Sequence, residues 1–317
     1  MKAVVVEKAG GPEVLQLKEV PTPQVKPGWS LVRVKGFGIN HSEIYTRKGE
    51  SPDVKFPRIL GIECVGEIAD TTDPERLPVG QKVASIMGGM GRDFDGSYAE
   101  YTLLPNNQIY PVTTKLSWAD FAAIPETFFT AYGSLRNARA QDAKTLLIRA
   151  ATSGVGVAAI KLAKAMNPGI RVSGSTRNPK KFDLLREAGC DDPIEDRDNQ
   201  LQTDEKFQAI VELVGPKTVV DSLSHMTQGG FCCVTGGLGD AWTIPNFDPF
   251  AIPTGGSLTN FGSGVMNSEK SFNDMLKLID DNHLDVSPTK TFDLAHTADA
   301  EAYSESGAGF GKVVVLP

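Results

Sequence analysis

Residues 146–177, LLIRAATSGVGVAAIKLAKAMNPGIRVSGSTR, constrain this 317-residue chain more than any other stretch. An apolar run at 145–148 meets a turn of small residues at 150–156. An apolar helical pattern covers 157–166, and a second strand-like run follows at 170–173. That order is one βαβ unit, the building block of a parallel sheet flanked by helices. Its spacing sets Gly154, Gly156 and Ala159 as G-x-G-x-x-A. The first glycine permits the tight turn, the second lets backbone approach a pyrophosphate, and the alanine allows close helix–strand packing. The helix N-terminus then turns its free N–H groups and positive dipole end toward phosphates. On this reading Thr152, Ser153, Gly154, Val155 and Gly156 cradle a dinucleotide.

The end of the second strand selects among dinucleotides. An Asp or Glu about 20 residues on usually holds the ribose 2′-OH of NAD. Here no acid occurs between Val157 and Phe182, and the strand runs into Ser175, Thr176, Arg177, Lys180 and Lys181. Hydroxyls and cations suit a 2′-phosphate, which an acid would repel. The same residues also suit a solvated basic turn; beside the glycine turn, NADPH is the preferred cofactor, with Ser175, Thr176, Arg177 and Lys181 around its phosphate.

Charge and hydropathy narrow the partners. A formal net charge of −7 argues against a general nucleic-acid or membrane-surface binder. No apolar run reaches the roughly 18 residues of a spanning helix. The opening MKAVVVEKAGG is too short in apolar residues for a signal segment, so a cytoplasmic enzyme is expected. Cys64, Cys190, Cys232 and Cys233 form no C-x-x-C pair and read as small buried hydrophobes in a reducing compartment.

The first third is rich in strands and turns, with strand candidates at 3–6, 15–19, 30–37, 64–69, 82–86, 98–104 and 109–111 and one helical pattern at 41–48. From Ser117, which with Asp120 resembles a helix cap, the character changes. Helices are expected at 119–124, 127–135, 179–188 and 217–226, alternating after residue 145 with strands that include 207–213 and 231–235. Those last strands run into Val214-Gly215 and Gly236-Gly237, placing small residues at carboxyl ends where such sheets bind ligands. Val214 and Gly236 therefore join the cofactor set. A helix at 269–282 and a closing strand at 312–316 follow. The expected architecture is α/β: a β-rich barrel-like domain, 1–118 plus 262–317, and a doubly wound parallel-sheet domain, 119–261.

Several segments carry a family resemblance: GGPEVL at 10–15, GINHSEIYTRKG at 38–49, GIECVGEI at 61–68, GSYAEY at 96–101, FFTAYGSL at 128–135, LLIRAATSGVG and the terminal GKVVVLP. Together they resemble the zinc-independent quinone oxidoreductases, the ζ-crystallin-like branch of the medium-chain dehydrogenase/reductase superfamily. The resemblance implies a GroES-like domain joined to an NADP-binding Rossmann domain. It puts Asn40 and Tyr45 in the cleft and Thr130 near the nicotinamide amide. It also implies a homodimer joined through sheet edges, with FDPFAIPTGGSLTNFG at 247–262 carrying that edge. Where the branch often has His-Gly-Ala-Ser-Gly-Gly, this chain has RAATSG at 149–154, so Ala150 and Ser153 replace glycines. The Ser153 hydroxyl still suits a phosphate. Asp196 stands where some relatives have a tyrosine near the adenine ribose, and an acid there opposes a 2′-phosphate.

Zinc-dependent members of the superfamily hold their catalytic metal with a Cys and a His at positions where this chain has Asn40 and Ile62, and the structural-zinc cysteines are absent too. No metal is expected. Without a Lewis acid, a positioned hydride suits acceptors that delocalise charge onto oxygen, namely quinones and α,β-unsaturated carbonyls. Asn40 then bonds cofactor or substrate oxygen, or caps its helix. Tyr45 donates a hydrogen bond or proton, or packs. Glu63 reads as a buried acid bonding backbone. Three functions remain open on the sequence: an NADPH-dependent quinone or enone reductase, a trans-acting enoyl reductase of a polyketide or fatty-acyl pathway, and a catalytically weak NADPH-binding structural or regulatory protein.

Overall fold

The run TLLIR forms the strand Thr145–Arg149, whose Leu146, Leu147 and Ile148 are wholly buried. A strand covered on both faces reads as a continuous apolar run. It lies at the centre of a seven-stranded sheet ordered Gln200–Leu201, Asp192–Arg197, Arg171–Thr176, Thr145–Arg149, Phe207–Glu212, Met226–Val234, Ser257–Asn260. Every pairing is parallel except the first. The chain runs outward on one side of Thr145–Arg149, then returns to pair Phe207–Glu212 on the other. The strand order thus reverses there, and the crevice beyond the carboxyl ends is the ligand site of such sheets. The helix Gly154–Met166 packs through small buried residues, Ala158, Ala159 and Ala163.

The computed structural model describes residues 1–266 and 268–317. The chain divides into two bodies, 127–262 with 275–284, which holds this sheet, and 1–126 with 263–274 and 285–317. The divisions fall after Glu126 and Gly262, and the helix Glu269–Asp281 is shared between the bodies, where the sequence reading cut at 118 and 261.

The second body has a seven-stranded sheet. Its path is Lys290–Asp293, Val313–Leu316, Trp29–Gly38, Glu63–Thr71, Lys82–Ile86 and Tyr110–Pro111, with Tyr101–Pro105 also paired to Trp29–Gly38. A three-stranded sheet of Leu15–Glu19, Lys2–Val6 and Arg58–Ile59 accompanies it. Phe37 stacks on Tyr98, centroids 4.7 Å apart, within one apolar core. The helices His41–Arg47 and Thr297–Glu305 are tied by wholly buried Arg47, whose Nε lies 2.6 Å from Glu301 and Nη2 2.7 Å from Glu305.

Two elements missing from the hydropathy pattern share one cause. Asp192–Arg197, DPIEDR, has one buried apolar residue, Ile194, and is held by parallel pairing with Ser173–Thr176 and by its Asp196. Thr297–Glu305 has no apolar stripe and is anchored by Glu301. Ionic anchors leave no apolar period to read.

Candidate active site

The turn after Thr145–Arg149 is stitched to its neighbour. Ala150 N–H donates to Ser175 Oγ (3.1 Å) and Ala151 N–H to the Ser175 carbonyl (2.9 Å). Ala150 occupies the left-handed region, φ +62°. A non-glycine residue is strained there. Ser153 is the N-cap: its Oγ accepts from Gly156 N–H (3.1 Å) and donates to Ala150 C=O (2.8 Å). Its single hydrogen is therefore used within the turn. Among the described residues, the Gly154 and Val155 N–H groups and the Thr152 hydroxyl have no partner, and all three residues are half-buried. A Cβ on Gly156 would lie 2.6 Å from Ala151 Cα, so this glycine is required by the turn's own backbone.

Ser175 and Thr176 are buried, and the Thr176 hydroxyl accepts from Asn178 N–H (3.2 Å). Arg177 is exposed, with no carboxylate partner among the described residues. Burial first, and the charge of Arg177 second, pull the Lys181 pKa below that of an ordinary lysine. Val214 and Gly236 sit at adjacent strand ends, where a Cβ on Gly236 would press into the Leu213 carbonyl. Thr130 is buried on the helix Pro125–Asn137, and its carbonyl accepts from Ser134 Oγ (2.6 Å).

Arg149, wholly buried, gathers the acids at these strand ends. It grips Asp196 through Nε (2.8 Å) and Nη2 (3.1 Å), meets Asp221 at 2.7 Å, and bonds the Thr218 and Asn199 carbonyls and Ser222 Oγ. Buried Glu212, its register partner on the next strand, takes Val214 and Gly215 N–H and the Thr218 and Ser222 hydroxyls. Asp196 is therefore no free acid facing a phosphate. It is neutralised by a bidentate guanidinium, the geometry that fits a carboxylate best.

In the other body, Asn40 stands at the N-cap of His41–Arg47, yet its side chain caps nothing. Asn40 Nδ2 donates to Glu63 Oε1 (2.9 Å) and Glu43 Oε1 (3.3 Å), with Gly38 C=O at 3.5 Å, while Oδ1 accepts from Lys312 Nζ (2.6 Å). Lys312 also donates to Glu63 Oε1 (2.7 Å), and Glu63 Oε2 takes Glu126 N–H (2.7 Å). Glu63 is thus the buried, backbone-bonding acid the sequence suggests. Glu43 Oε1 accepts Ile62 N–H (3.1 Å), whereas its buried Oε2 has no partner. Burial pushes the Glu43 pKa up to about 8, opposed by the Ile62 N–H and reinforced by the Glu63 charge. Tyr45 is half-buried on the same helix, its ring 6.3 Å from that of His41.

The fold brings Asn40 and Tyr45 onto one helical segment, and gathers residues 152–156, 175–181, 214 and 236 at the carboxyl end of one sheet. Sequence reasoning missed Lys312, 272 positions from Asn40, and the partners of Asn40 and Asp196. The signals available were a lysine opening an apolar strand and an arginine closing one. Among the described residues no three His, Cys, Asp or Glu side chains gather as a metal site. No described helix is long and apolar enough to cross a membrane.

Comparison with known proteins gives two family matches along the chain. Residues 26–114 match the alcohol dehydrogenase GroES-like domain, and residues 188–315 match the zinc-binding dehydrogenase family. The quinone oxidoreductase of Pongo abelii is 29% identical over 250 residues, 75% of this chain and 74% of that one. The 2-methylene-furan-3-one reductase of Solanum lycopersicum is 27% identical over 325 residues, 100% of this chain and 79% of that one. A mycobacterial protein solved in complex with NADPH has the same fold, with TM-score 0.86 at 23% identity and 100% of both chains covered. The chain belongs to the medium-chain dehydrogenase/reductase superfamily, a GroES-like domain joined to a Rossmann-type parallel sheet. Within that class it is an oxidoreductase of the quinone oxidoreductase-like branch, whose members bind nicotinamide cofactors.

Proposed function

We propose that this chain is an NADPH-dependent reductase of quinones or α,β-unsaturated carbonyls that works without a metal. The observation carrying the reading is the basic end of Arg171–Thr176: Arg177 and Lys181 lie together, and Asp196, the acid that the sequence sets against a 2′-phosphate, is held by Arg149. The open Gly154 and Val155 N–H groups at a helix N-terminus fit a pyrophosphate. The residues present therefore fit the cofactor, which when bound supplies a hydride. Gly154, Val155 and Thr152 hold its diphosphate, and Arg177 and Lys181 its 2′-phosphate. Thr130, Val214 and Gly236 complete the set, while the Ser153 and Ser175 hydroxyls support the turn rather than the ligand.

Tyr45 serves as hydrogen-bond or proton donor to the oxygen that gathers charge as the acceptor is reduced. With Asn40 and apolar Ile62 where zinc-dependent members hold their metal, Tyr45 alone is left to polarise the acceptor oxygen, so conjugated acceptors are favoured over simple ketones. The tomato relative's name points the same way, since its substrate joins a C=C bond to a carbonyl. We further read the chain as a cytoplasmic homodimer joined through its sheet's edge strand Ser257–Asn260, near which Phe250 is 94% exposed.

Steady-state NADPH oxidation with quinones, short enals and acyl thioesters, before and after treatment with a chelator, tests the proposal. Turnover of quinones or enals that survives the chelator supports it. NADPH binding without turnover of any acceptor refutes it in favour of a binding protein.

A further inference from the structure

The Asn40 carboxamide has four hydrogen-bonding positions, and its surroundings use three. Its two hydrogens meet Glu63 and Glu43, and one lone pair of Oδ1 meets Lys312. The opposite amide orientation would set NH2 against the Lys312 ammonium and oxygen against two carboxyl groups, so charge fixes the assignment. Glu63 is 0% exposed, Glu43 1% and Lys312 7%, whereas Asn40 is half-buried. One lone pair of Asn40 Oδ1 is all that the cluster leaves for a ligand to use.

We propose that Lys312 is a positioning residue: by holding Oδ1, it makes Asn40 an acceptor toward the ligand and prevents it from donating to a substrate carbonyl. The ligand group recognised is then an O–H or N–H donor, whether of cofactor or of substrate. Glu63 balances the ammonium, so an acceptor is displayed from a pocket of charge with no free anion beside it. This rests on the nicotinamide-enzyme reading only for the ligand's identity; the amide orientation stands on the cluster alone.

The test compares Asn40→Ala, Lys312→Met, Lys312→Arg and the Asn40→Ala/Lys312→Met double variant, measuring NADPH affinity by fluorescence and KM and kcat separately. Lys312→Met and Asn40→Ala are each expected to weaken the same ligand step, NADPH binding or acceptor KM, at least tenfold. The double variant should lose no more than either alone, and Lys312→Arg should recover most of the loss. Multiplying losses, or a Lys312→Met enzyme with wild-type constants, overturns the proposal. A second readout needs no ligand and no variant at Lys312: the Asn40 side-chain NH2 pair, assigned in 15N spectra by its disappearance in Asn40→Ala. In the wild-type protein these protons should exchange slowly before any ligand is added. Rapid exchange overturns the orientation even if Lys312 variants fail to fold. If NADPH does not bind the wild type but the NH2 pair is protected, the function reading fails and the positioning of Asn40 stands.

Discussion

Replacing Glu43 by glutamine should stabilise the protein, and increasingly so as pH rises. The Glu43 pKa is raised from the ordinary 4.5 to about 8 because the carboxyl is buried, with one oxygen unpartnered and Lys312 already shared by Glu63 and Asn40. A group whose folded pKa is raised favours folding most below the unfolded value, and that contribution is lost as pH climbs to the folded value. Between pH 4.5 and 8 each pH unit removes about 1.4 kcal/mol, because the unfolded chain has released a proton that the folded one keeps. Relative to glutamine, the wild-type acid therefore costs about 1 kcal/mol at pH 5, about 3 at pH 7 and about 5 at pH 9. The protonated carboxyl and the amide both bring a donor to the unpartnered position, so that penalty largely cancels. Urea unfolding of wild type and Glu43→Gln at these three pH values measures the difference. A destabilised Glu43→Gln at pH 7, or a difference that does not grow between pH 5 and 9, refutes the reasoning.

Three further outcomes are expected. Ala150→Gly should raise the thermal midpoint by the equivalent of roughly 0.5–1 kcal/mol, because relief at φ +62° exceeds the added freedom of the unfolded glycine; a lowered midpoint argues against strain in the turn. Glu301→Gln should cost about 3–5 kcal/mol in denaturant unfolding by stranding the buried Arg47 charge, and an unchanged midpoint would mean that Glu305 alone sustains it. Arg177→Ala should weaken NADPH binding tenfold or more and leave NADH binding unchanged, measured by fluorescence titration; equal losses for both would remove the 2′-phosphate from this turn.

The parts of the fold legible in the sequence are those held by apolar burial and glycine geometry. Thr145–Arg149 and Gly154–Met166 announce themselves because their side chains are buried at strand and helix periods. Asp192–Arg197 does not, since what fixes it is a salt bridge to a residue 47 positions earlier. The candidate site divides the same way. Gly156 is readable because only glycine fits 2.6 Å from backbone. Asn40 is recognisable as a residue of interest, yet its hydrogen-bonding direction depends on Lys312 near the chain's other end, which no local pattern encodes. The setting of Asp196 is hidden for the same reason: as a letter it is an unpaired acid, and in the fold it is the bidentate partner of Arg149.

In the proposed function a hydride passes from a nicotinamide to a conjugated acceptor. Incubation with NADPH carrying two deuterium atoms at C4 of the nicotinamide, followed by mass spectrometry of a reduced enal, follows that hydride. One deuterium is expected in the product, on the carbon β to the carbonyl, with transfer undiminished after metal chelation. Bound NADPH with no deuterium in any product, or transfer that requires added zinc, would contradict it.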